Sequence, residues 1–282
     1  MRSLSGKGAV VTGASRGLGR GIALGLGEAG ATVYVTGRST SANRGQLPGT
    51  IEETAEELTR MGGRGIAVRC DHRVDSDVEA VFARVREEEG RLDLLVNNAT
   101  APPDLHVLFG GQRFWQIPVA LWDDLVDVGV RSHFVATKYA APTMIEQRSG
   151  LVINVSSHAA GGGKSAKSMQ IVPYSVGKAA LHRLTADMAV ELQESGVRSS
   201  PSGRPPARRM ECSPRRIYST TSPTGSRHSS PVASSPRWLR VSINSGCLAP
   251  RLSLKISPVS SVSVIRPRKA WGSPGKLSRS TE

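Results

Sequence analysis

Short apolar runs alternate with amphipathic helical stretches from residue 9 to residue 194, and this alternation is what most constrains the fold. The apolar runs cover residues 9–12, 32–36, 65–69, 92–96 and 151–155, and helical patterns follow at 21–29, 51–61, 76–89, 119–145 and 173–194. Nearly continuous apolar runs predict strands that are buried on both faces. Strands that alternate with helices form parallel sheets, because parallel neighbours need long crossovers. We therefore predict an α/β domain with a doubly wound parallel sheet.

The alternation stops after Gly196, and the composition changes at the same point. Of the 37 Lys and Arg residues, 15 lie in 199–282, where the only acids are Glu211 and Glu282. The same stretch holds 11 of the 17 prolines, a composition that resists forming a packed core. We predict a truncated domain over 1–197, with a sheet incomplete at its C-terminal end, and an irregular, basic, Ser/Pro/Arg-rich tail over 198–282.

The tail has two interpretations. The first is a shift of the reading frame by one base. In the shifted frame, each codon consists of the variable third base of one original codon and the first two bases of the next. Read in this way, the residues after Val197 permit Val-Val-Ser-Val-Trp-Pro-Pro, an apolar strand with a proline turn. Residues 215–225 treated in this way permit an acidic, helix-like run, so we favour a frameshift. The alternative is a basic arm that contacts phosphates or is regulated by phosphorylation, although aromatic residues for base stacking are sparse there.

Cysteine usage and the N-terminus bear on the compartment. The three cysteines, Cys70, Cys212 and Cys247, have no metal-ligand spacing and do not form an even set for disulfides, so we predict no metal site and a reducing compartment. The chain enters an apolar strand pattern within about eight residues, without the charged and apolar regions of a signal peptide. These features favour a cytoplasmic protein with no membrane span.

A glycine-rich turn joins the first strand to the first helix. The residues are Thr12-Gly13-Ala14-Ser15-Arg16-Gly17-Leu18-Gly19. Glycines allow a sharp turn and let a pyrophosphate approach the helix N-terminus. The turn predicts dinucleotide binding by its residues Gly13, Ser15, Arg16, Gly17, Leu18 and Gly19.

Two basic residues point to the form of the dinucleotide. The end of the second strand is where an acid would bind the ribose hydroxyls of NAD(H), and Arg38 stands there instead. Arg38 and Arg16 together would pair with the 2′-phosphate of NADP(H). NADP(H) is therefore the favoured cofactor, and NAD(H) stays possible.

A phenol and an ammonium follow the fifth strand. Tyr174 and Lys178 stand at i and i+4, and are therefore neighbours on one helix face. A nearby cation favours the phenolate, so the pair suits general acid/base chemistry. The strand itself ends in Ser156 and Ser157.

Together these motifs resemble the short-chain dehydrogenase/reductase family, with a Rossmann-type fold, over about residues 5–197. The resemblance implies that Tyr174 is the general acid/base, that Lys178 tunes it and holds the nicotinamide ribose, and that Ser157 polarises the substrate carbonyl. Tyr174, like Lys178, is also expected to contact the cofactor. It also implies that Asp71 contacts adenine and that Asn98 contacts the cofactor or braces the sheet. The expected activity is hydride transfer between a nicotinamide cofactor and a carbonyl or alcohol substrate.

The chain departs from the family pattern at two positions. Thr100 replaces the glycine of Asn-Asn-Ala-Gly, and Gly129 replaces an asparagine expected in the helix after the fourth strand, which puts its proton relay in doubt. The stretch around Gly129 resembles the branch of the family around dehydrogenase/reductase family member 1. The longer gap between Ser157 and Tyr174, at 159–167, is expected to shape the substrate mouth.

A second function stays open beside the enzyme. The chain would then be a catalytically impaired dinucleotide-binding protein whose tail binds nucleic acid or is regulated, although nucleic acid is the less favoured partner. The family resemblance implies a homo-oligomer, which loss of the strands after Val197 would disfavour.

Overall fold

Six parallel strands form the central sheet. The structure is a computed structural model and describes residues 3–45, 47–101, 113–161, 171–202, 240–244 and 251–255. The strands are β1 (Gly8–Val11), β2 (Thr32–Gly37), β3 (Arg64–Arg69), β4 (Leu94–Asn97), β5 (Gly150–Val155) and β6 (Val197–Ser202). Their spatial order is β3-β2-β1-β4-β5-β6. The order reverses between β1 and β4, so the doubly wound, Rossmann-type prediction is confirmed.

Helices cover both faces of this sheet. They are α1 (Gly17–Glu28), α2 (Ile51–Arg60), α3 (Asp75–Glu89), α4 (Val119–Asp123), a π-helical segment (Asp124–Arg131), α5 (Ser132–Glu146) and α6 (Val172–Glu191). Alternate residues of β1 enter different cores: Ala9 and Val11 pack with Leu26 of α1, whereas Val10 packs with Phe82 of α3 and Met144 of α5. Burial on both faces explains why the strands are almost wholly apolar.

The sixth strand differs from the expectation that no element follows Gly196. β6 pairs in parallel with β5, from Gly150 opposite Val197 to Val155 opposite Ser202. Backbone hydrogen bonds make this ladder, so it needs no apolar side-chain pattern. β6 stands at one end of the described sheet, where a residue without an N–H such as Pro201 is tolerated.

Later residues contribute one further pair of strands. β7 (Arg240–Asn244) and β8 (Arg251–Lys255) are antiparallel to each other and form a separate two-stranded sheet. The remaining tail residues, on which the irregular-tail prediction chiefly falls, lie outside the described residues. Among the helices that the structure describes, none is long and apolar enough to cross a membrane.

A buried chain of polar side chains runs from α5 to α6 along one face of the sheet. The Asn97 amide donates to Thr137 Oγ1 at 3.0 Å and to Asn154 Oδ1 at 2.9 Å, and the Asn154 amide donates to Thr185 Oγ1 at 2.9 Å. Asn97, Asn154 and Thr185 are fully buried. The chain links the neighbouring strands β4 and β5 to α5 and α6, which pack on the same face of the sheet.

Candidate active site

A cleft of about 360 Å³ opens at the carboxyl ends of the strands, next to the switch in strand order. This is where open α/β sheets bind ligands, and the volume lies in the range of small-molecule sites. The cleft brings together every predicted site residue except Gly17, namely Gly13, Ser15, Arg16, Leu18, Gly19, Arg38, Asp71, Asn98, Ser157, Tyr174 and Lys178. Ser157 follows β5, and Tyr174 and Lys178 lie on α6, whereas Arg38 and Asp71 follow β2 and β3 on the other side of the switch.

The three glycines of the turn do different things. Gly13 and Gly17 have φ of +64° and +56°, a backbone conformation that glycine adopts without strain. A Cβ at Gly19 would lie 2.4 Å from Asn98 Nδ2, so close packing excludes any side chain there. A Cβ at Gly17 would meet nothing within 4 Å. Gly17 does not line the cleft, but it begins α1 with open space above its backbone.

Asn98 braces the loops that follow β1 and β4. Thr12 Oγ1 accepts from the backbone N–H groups of Asn98 and Ala99, both at 2.9 Å. In return, Asn98 Nδ2 donates to the carbonyl oxygens of Thr12 and Gly13 at 3.0 and 3.1 Å. These bonds hold the glycine-rich turn at its angle to the sheet. Asn98 also lines the cleft, so the geometry gives it a bracing position at the cleft wall.

The two predicted phosphate-binding arginines are differently engaged. Arg38 is exposed, and its Nη1 lies 3.9 Å from Asp71 Oδ2, a distant ion pair. Arg16 contacts neutral oxygens of the segment that follows β2. Both guanidinium groups border the cleft, so that end of it carries a net positive charge.

At the other end, Lys178 is buried beneath Tyr174. Lys178 Nζ donates to the Val155 carbonyl at 3.0 Å and lies 5.7 Å from the centre of the Tyr174 ring. Burial lowers the pKa of Lys178 to about 8, because removal from water disfavours the ammonium. The arrangement puts a poised cation against the phenol.

The two serines at the end of β5 have distinct partners. Ser156 Oγ donates to the Lys178 carbonyl at 3.2 Å, which fastens the strand to α6. Ser157 Oγ accepts from the Ala159 N–H at 3.3 Å, a bond that does not use the hydroxyl proton of Ser157. His158 begins a short 3₁₀ turn, His158–Gly161. Much of the predicted substrate mouth, 162–167, lies outside the described residues.

Gly129 lies in the π-helical segment, a feature common at functional sites. It is buried, and a Cβ there would meet Thr100 Oγ1 at 3.8 Å. The two departures from the family pattern therefore face each other. The 3.6-residue periodicity of 119–145 predicted one long helix, and the π-helical turn within it was not predicted.

Two buried histidines next to the site were missed by the sequence analysis. His72, which lines the cleft, bonds through Nε2 to Thr36 Oγ1 at 2.8 Å, and burial lowers its pKa to about 4. His133 Nε2 lies 3.1 Å from the Ala99 carbonyl, and burial, with the charge of Lys178, lowers its pKa to about 3. Both imidazoles are neutral at pH 7. The one sequence feature that could have indicated His72 is its position directly after Asp71, a predicted cofactor-binding residue.

Comparison with known proteins agrees with this geometry. The family model described as short chain dehydrogenase matches residues 7–200. "Dehydrogenase/reductase SDR family member 1" is 46% identical in Mus musculus and 43% identical in Homo sapiens, over 195 residues that make up 69% of this chain. The match spans 58% of the length of these two relatives.

Solved structures agree as well. A metagenomic short-chain oxidoreductase in complex with NADP has a TM-score of 0.60 and 33% identity, covering 71% of this chain and 82% of that one. The 7α-hydroxysteroid dehydrogenase complexed with NADH and 7-oxo glycochenodeoxycholic acid has a TM-score of 0.59 and 28% identity, covering 70% of each chain. The fold, the cleft and these matches together mean that the chain belongs to the short-chain dehydrogenase/reductase family of oxidoreductases.

Proposed function

We propose that residues 1–197 form an NADP(H)-dependent reductase or dehydrogenase that interconverts a small carbonyl compound and its alcohol. The observation that carries this proposal is the single cleft with Ser157, Tyr174 and Lys178 at one end and two arginines at the other. One end suits proton transfer beside a carbonyl, and the other suits a phosphate. The cleft fits an extended dinucleotide because the glycine-rich turn lies between the two ends.

The chain's own residues would share the chemistry as follows. When bound, the nicotinamide supplies or accepts the hydride. Tyr174 donates a proton to the carbonyl oxygen during reduction and removes it during oxidation. Ser157 would donate a hydrogen bond to that oxygen, and Lys178 would stabilise the phenolate form of Tyr174 and hold the nicotinamide ribose.

The adenosine end would be held by residues that follow the first three strands. Asp71 would contact the adenine, and Gly13, Ser15, Gly17, Leu18 and Gly19 would surround the pyrophosphate at the start of α1. Asn98 would keep that turn in place. Arg38 and Arg16 would bind the 2′-phosphate, which carries the negative charge that distinguishes NADP(H) from NAD(H).

Arg38→Gln is expected to weaken NADPH binding about 10-fold to 100-fold and to change NADH affinity less than about 2-fold. The reason is that a hydrogen bond between charged groups contributes about 1.5–3 kcal/mol, and only NADPH carries the extra phosphate. Calorimetric titration of the 282-residue chain with each cofactor measures both values. Arg60→Gln, at an exposed arginine of α2, is the matched control. Equal weakening of both cofactors by Arg38→Gln would contradict the assignment.

We also propose that the functional unit ends near Val197 and that the basic tail arises from a frameshift. β6 and the family match, which reaches residue 200, support a domain that once continued past this point. The codons for Gly196 to Ser200 decide the matter. Resequencing the source DNA is expected to reveal a one-base change that restores an apolar strand and a proline-containing turn. An unchanged frame would instead favour a basic-tailed protein.

A further inference from the structure

A segment of the chain connects β2 to α2 beside the cleft. It runs over 39–49, longer than most such connections, and residues 39–45 and 47–49 of it are described; we call it the β2–α2 loop. Its backbone closes on itself, since the N–H of Thr40 bonds to the Asn43 carbonyl at 3.1 Å and the reverse bond is 3.2 Å. Thr50 and Glu53 then form a capping box that starts α2. Ser39 and Leu47 line the cleft.

Arg16 fastens both ends of this loop to the glycine-rich turn. Its Nε donates to the Pro48 carbonyl at 3.0 Å, and its Nη2 donates to the Gly49 carbonyl at 2.9 Å and to Ser39 Oγ at 2.7 Å. Among the described residues, Arg16 Nη1 has no hydrogen-bond partner. A guanidinium has five N–H donors in a rigid fork, so a single side chain can hold the loop and still present donors to a ligand.

The backbones of the loop and the turn are in direct contact. Gly49 has φ of +102°, and a Cβ there would lie 2.5 Å from the Ser15 carbonyl oxygen. A Cβ at Gly45 would lie 3.2 Å from Ser39 Oγ and 3.8 Å from Arg16 Nη2. Glycines therefore allow the loop to close around the Arg16 side chain.

The charge balance at this end favours an anion. All three acceptors of Arg16 are neutral oxygens, so its positive charge is not compensated by them. Arg38 pairs with Asp71 at 3.9 Å. Among the described residues that line this end of the cleft, two cations and one carboxylate leave a positive excess beside the β2–α2 loop, and this excess complements a dianionic phosphate.

We propose that Arg16 is a positioning residue that builds this end of the site before the cofactor arrives, and that the β2–α2 loop it fastens is a specificity determinant for the 2′-phosphate. The inference rests on the proposed NADP(H) preference. Nε and Nη2 hold the loop against the turn, and Nη1 remains for the phosphate. Because the loop is already in place, less conformational entropy is lost when the cofactor binds. This favours NADP(H) over NAD(H), since only NADP(H) carries the 2′-phosphate.

Arg16→Lys tests the inference because it keeps the charge and removes the fork. In the full-length unliganded protein, amide hydrogen exchange in peptides that cover 39–49 is expected to accelerate roughly 5-fold or more, with exchange in α3 unchanged. The ratio of NADPH affinity to NADH affinity is expected to fall about 10-fold. Arg44→Lys, in the same loop but paired with Glu53 at 2.9 Å, is the matched control and should change neither value.

Gly49→Ala tests the contact between the loop and the glycine-rich turn without altering a charge. The added Cβ would displace the loop from the Ser15 carbonyl, so NADPH affinity is expected to fall while Arg16 is intact.

Unchanged loop exchange in Arg16→Lys would overturn the inference, and so would unchanged NADPH affinity in a Gly49→Ala protein whose loop exchanges faster. Equal loss of NADPH and NADH binding with a lower melting temperature would mark Arg16 as merely structural. Wild-type protein that does not prefer NADPH would refute the proposed function, whereas faster exchange in Arg16→Lys would still support the fastening.

Discussion

Tyr174→Phe is expected to reduce kcat about 10²-fold to 10⁴-fold, the usual contribution of a positioned acid or base, and to leave NADPH affinity within about 2-fold. The substitution removes only the hydroxyl that would carry the proton. The ring and its contact with the Lys178 ammonium, 5.7 Å from the ring centre, are kept. An activated 1,2-diketone serves as the probe substrate, and consumption of NADPH reports turnover. Titration of nicotinamide fluorescence reports binding.

The matched control is Tyr139→Phe. Tyr139 lies on α5, and its hydroxyl makes a long 3.4 Å bond to Glu79 at the surface. This variant should retain full turnover. Full activity in Tyr174→Phe would remove Tyr174 from the proton transfer. Cofactor binding by wild-type protein with no turnover of any carbonyl probe would favour the non-catalytic, dinucleotide-binding alternative.

Lys178→Met is expected to raise the free energy of unfolding at pH 7 by about 2 kcal/mol while reducing turnover by at least about 10²-fold. Burial lowers the pKa of the Lys178 ammonium from 10.5 to about 8, and each unit is worth about 1.4 kcal/mol. The lost bond to the Val155 carbonyl offsets about 1 kcal/mol of the gain. The protein therefore sacrifices stability to keep a cation next to Tyr174.

The stabilisation should depend on pH in a defined direction. The unfolded chain holds the lysine proton up to about pH 10.4, whereas the folded chain releases it near pH 8. Between these values the unfolded state binds more protons at this lysine, so the contribution of Lys178 to stability rises with pH. The full penalty is thus present below about pH 8, and the advantage of Lys178→Met should shrink as the pH approaches 10.

Urea unfolding at pH 7 and near pH 10 measures this difference. Lys138→Met is the matched control, because Lys138 is an exposed lysine of α5 and its replacement should change stability by less than about 0.5 kcal/mol. An equal gain at both pH values would mean that the effect comes from packing rather than from the buried charge. A loss of stability at pH 7 would contradict the assigned penalty.

Periodicity and motif spacing predicted most of the fold. The five predicted strands agree with β1 to β5 to within one or two residues at each end. β6 was missed because Arg198, Ser199 and Pro201 give no apolar pattern, and backbone pairing with β5 forms the strand instead. The π-helical segment was missed because its buried residues Leu125 and Val128 also suit an ordinary helix.

The candidate site, like the fold, has parts that the sequence could predict and parts that it could not. Residues at fixed spacing, such as Tyr174 and Lys178, could be predicted because helix geometry alone makes them neighbours. The partners of Arg16 could not be predicted, since they lie 23 to 33 residues away in a loop without a motif. The structural contacts of Asn98 likewise depend on the meeting of β1 and β4, which only the assembled sheet creates.

The buried chain from Thr137 to Thr185 has a consequence for how the strands find their alignment. Along β4 and β5, aliphatic residues of similar size pair with each other, Leu94 to Val96 with Leu151 to Ile153. Such pairs distinguish poorly between one strand register and the next. Asn97 stands directly opposite Asn154. A shift by one residue would send one amide to the wrong face and leave buried polar groups unpaired, at about 1–3 kcal/mol each. One amide contact therefore selects the register, and with it the height at which Ser157 meets the helix that carries Tyr174.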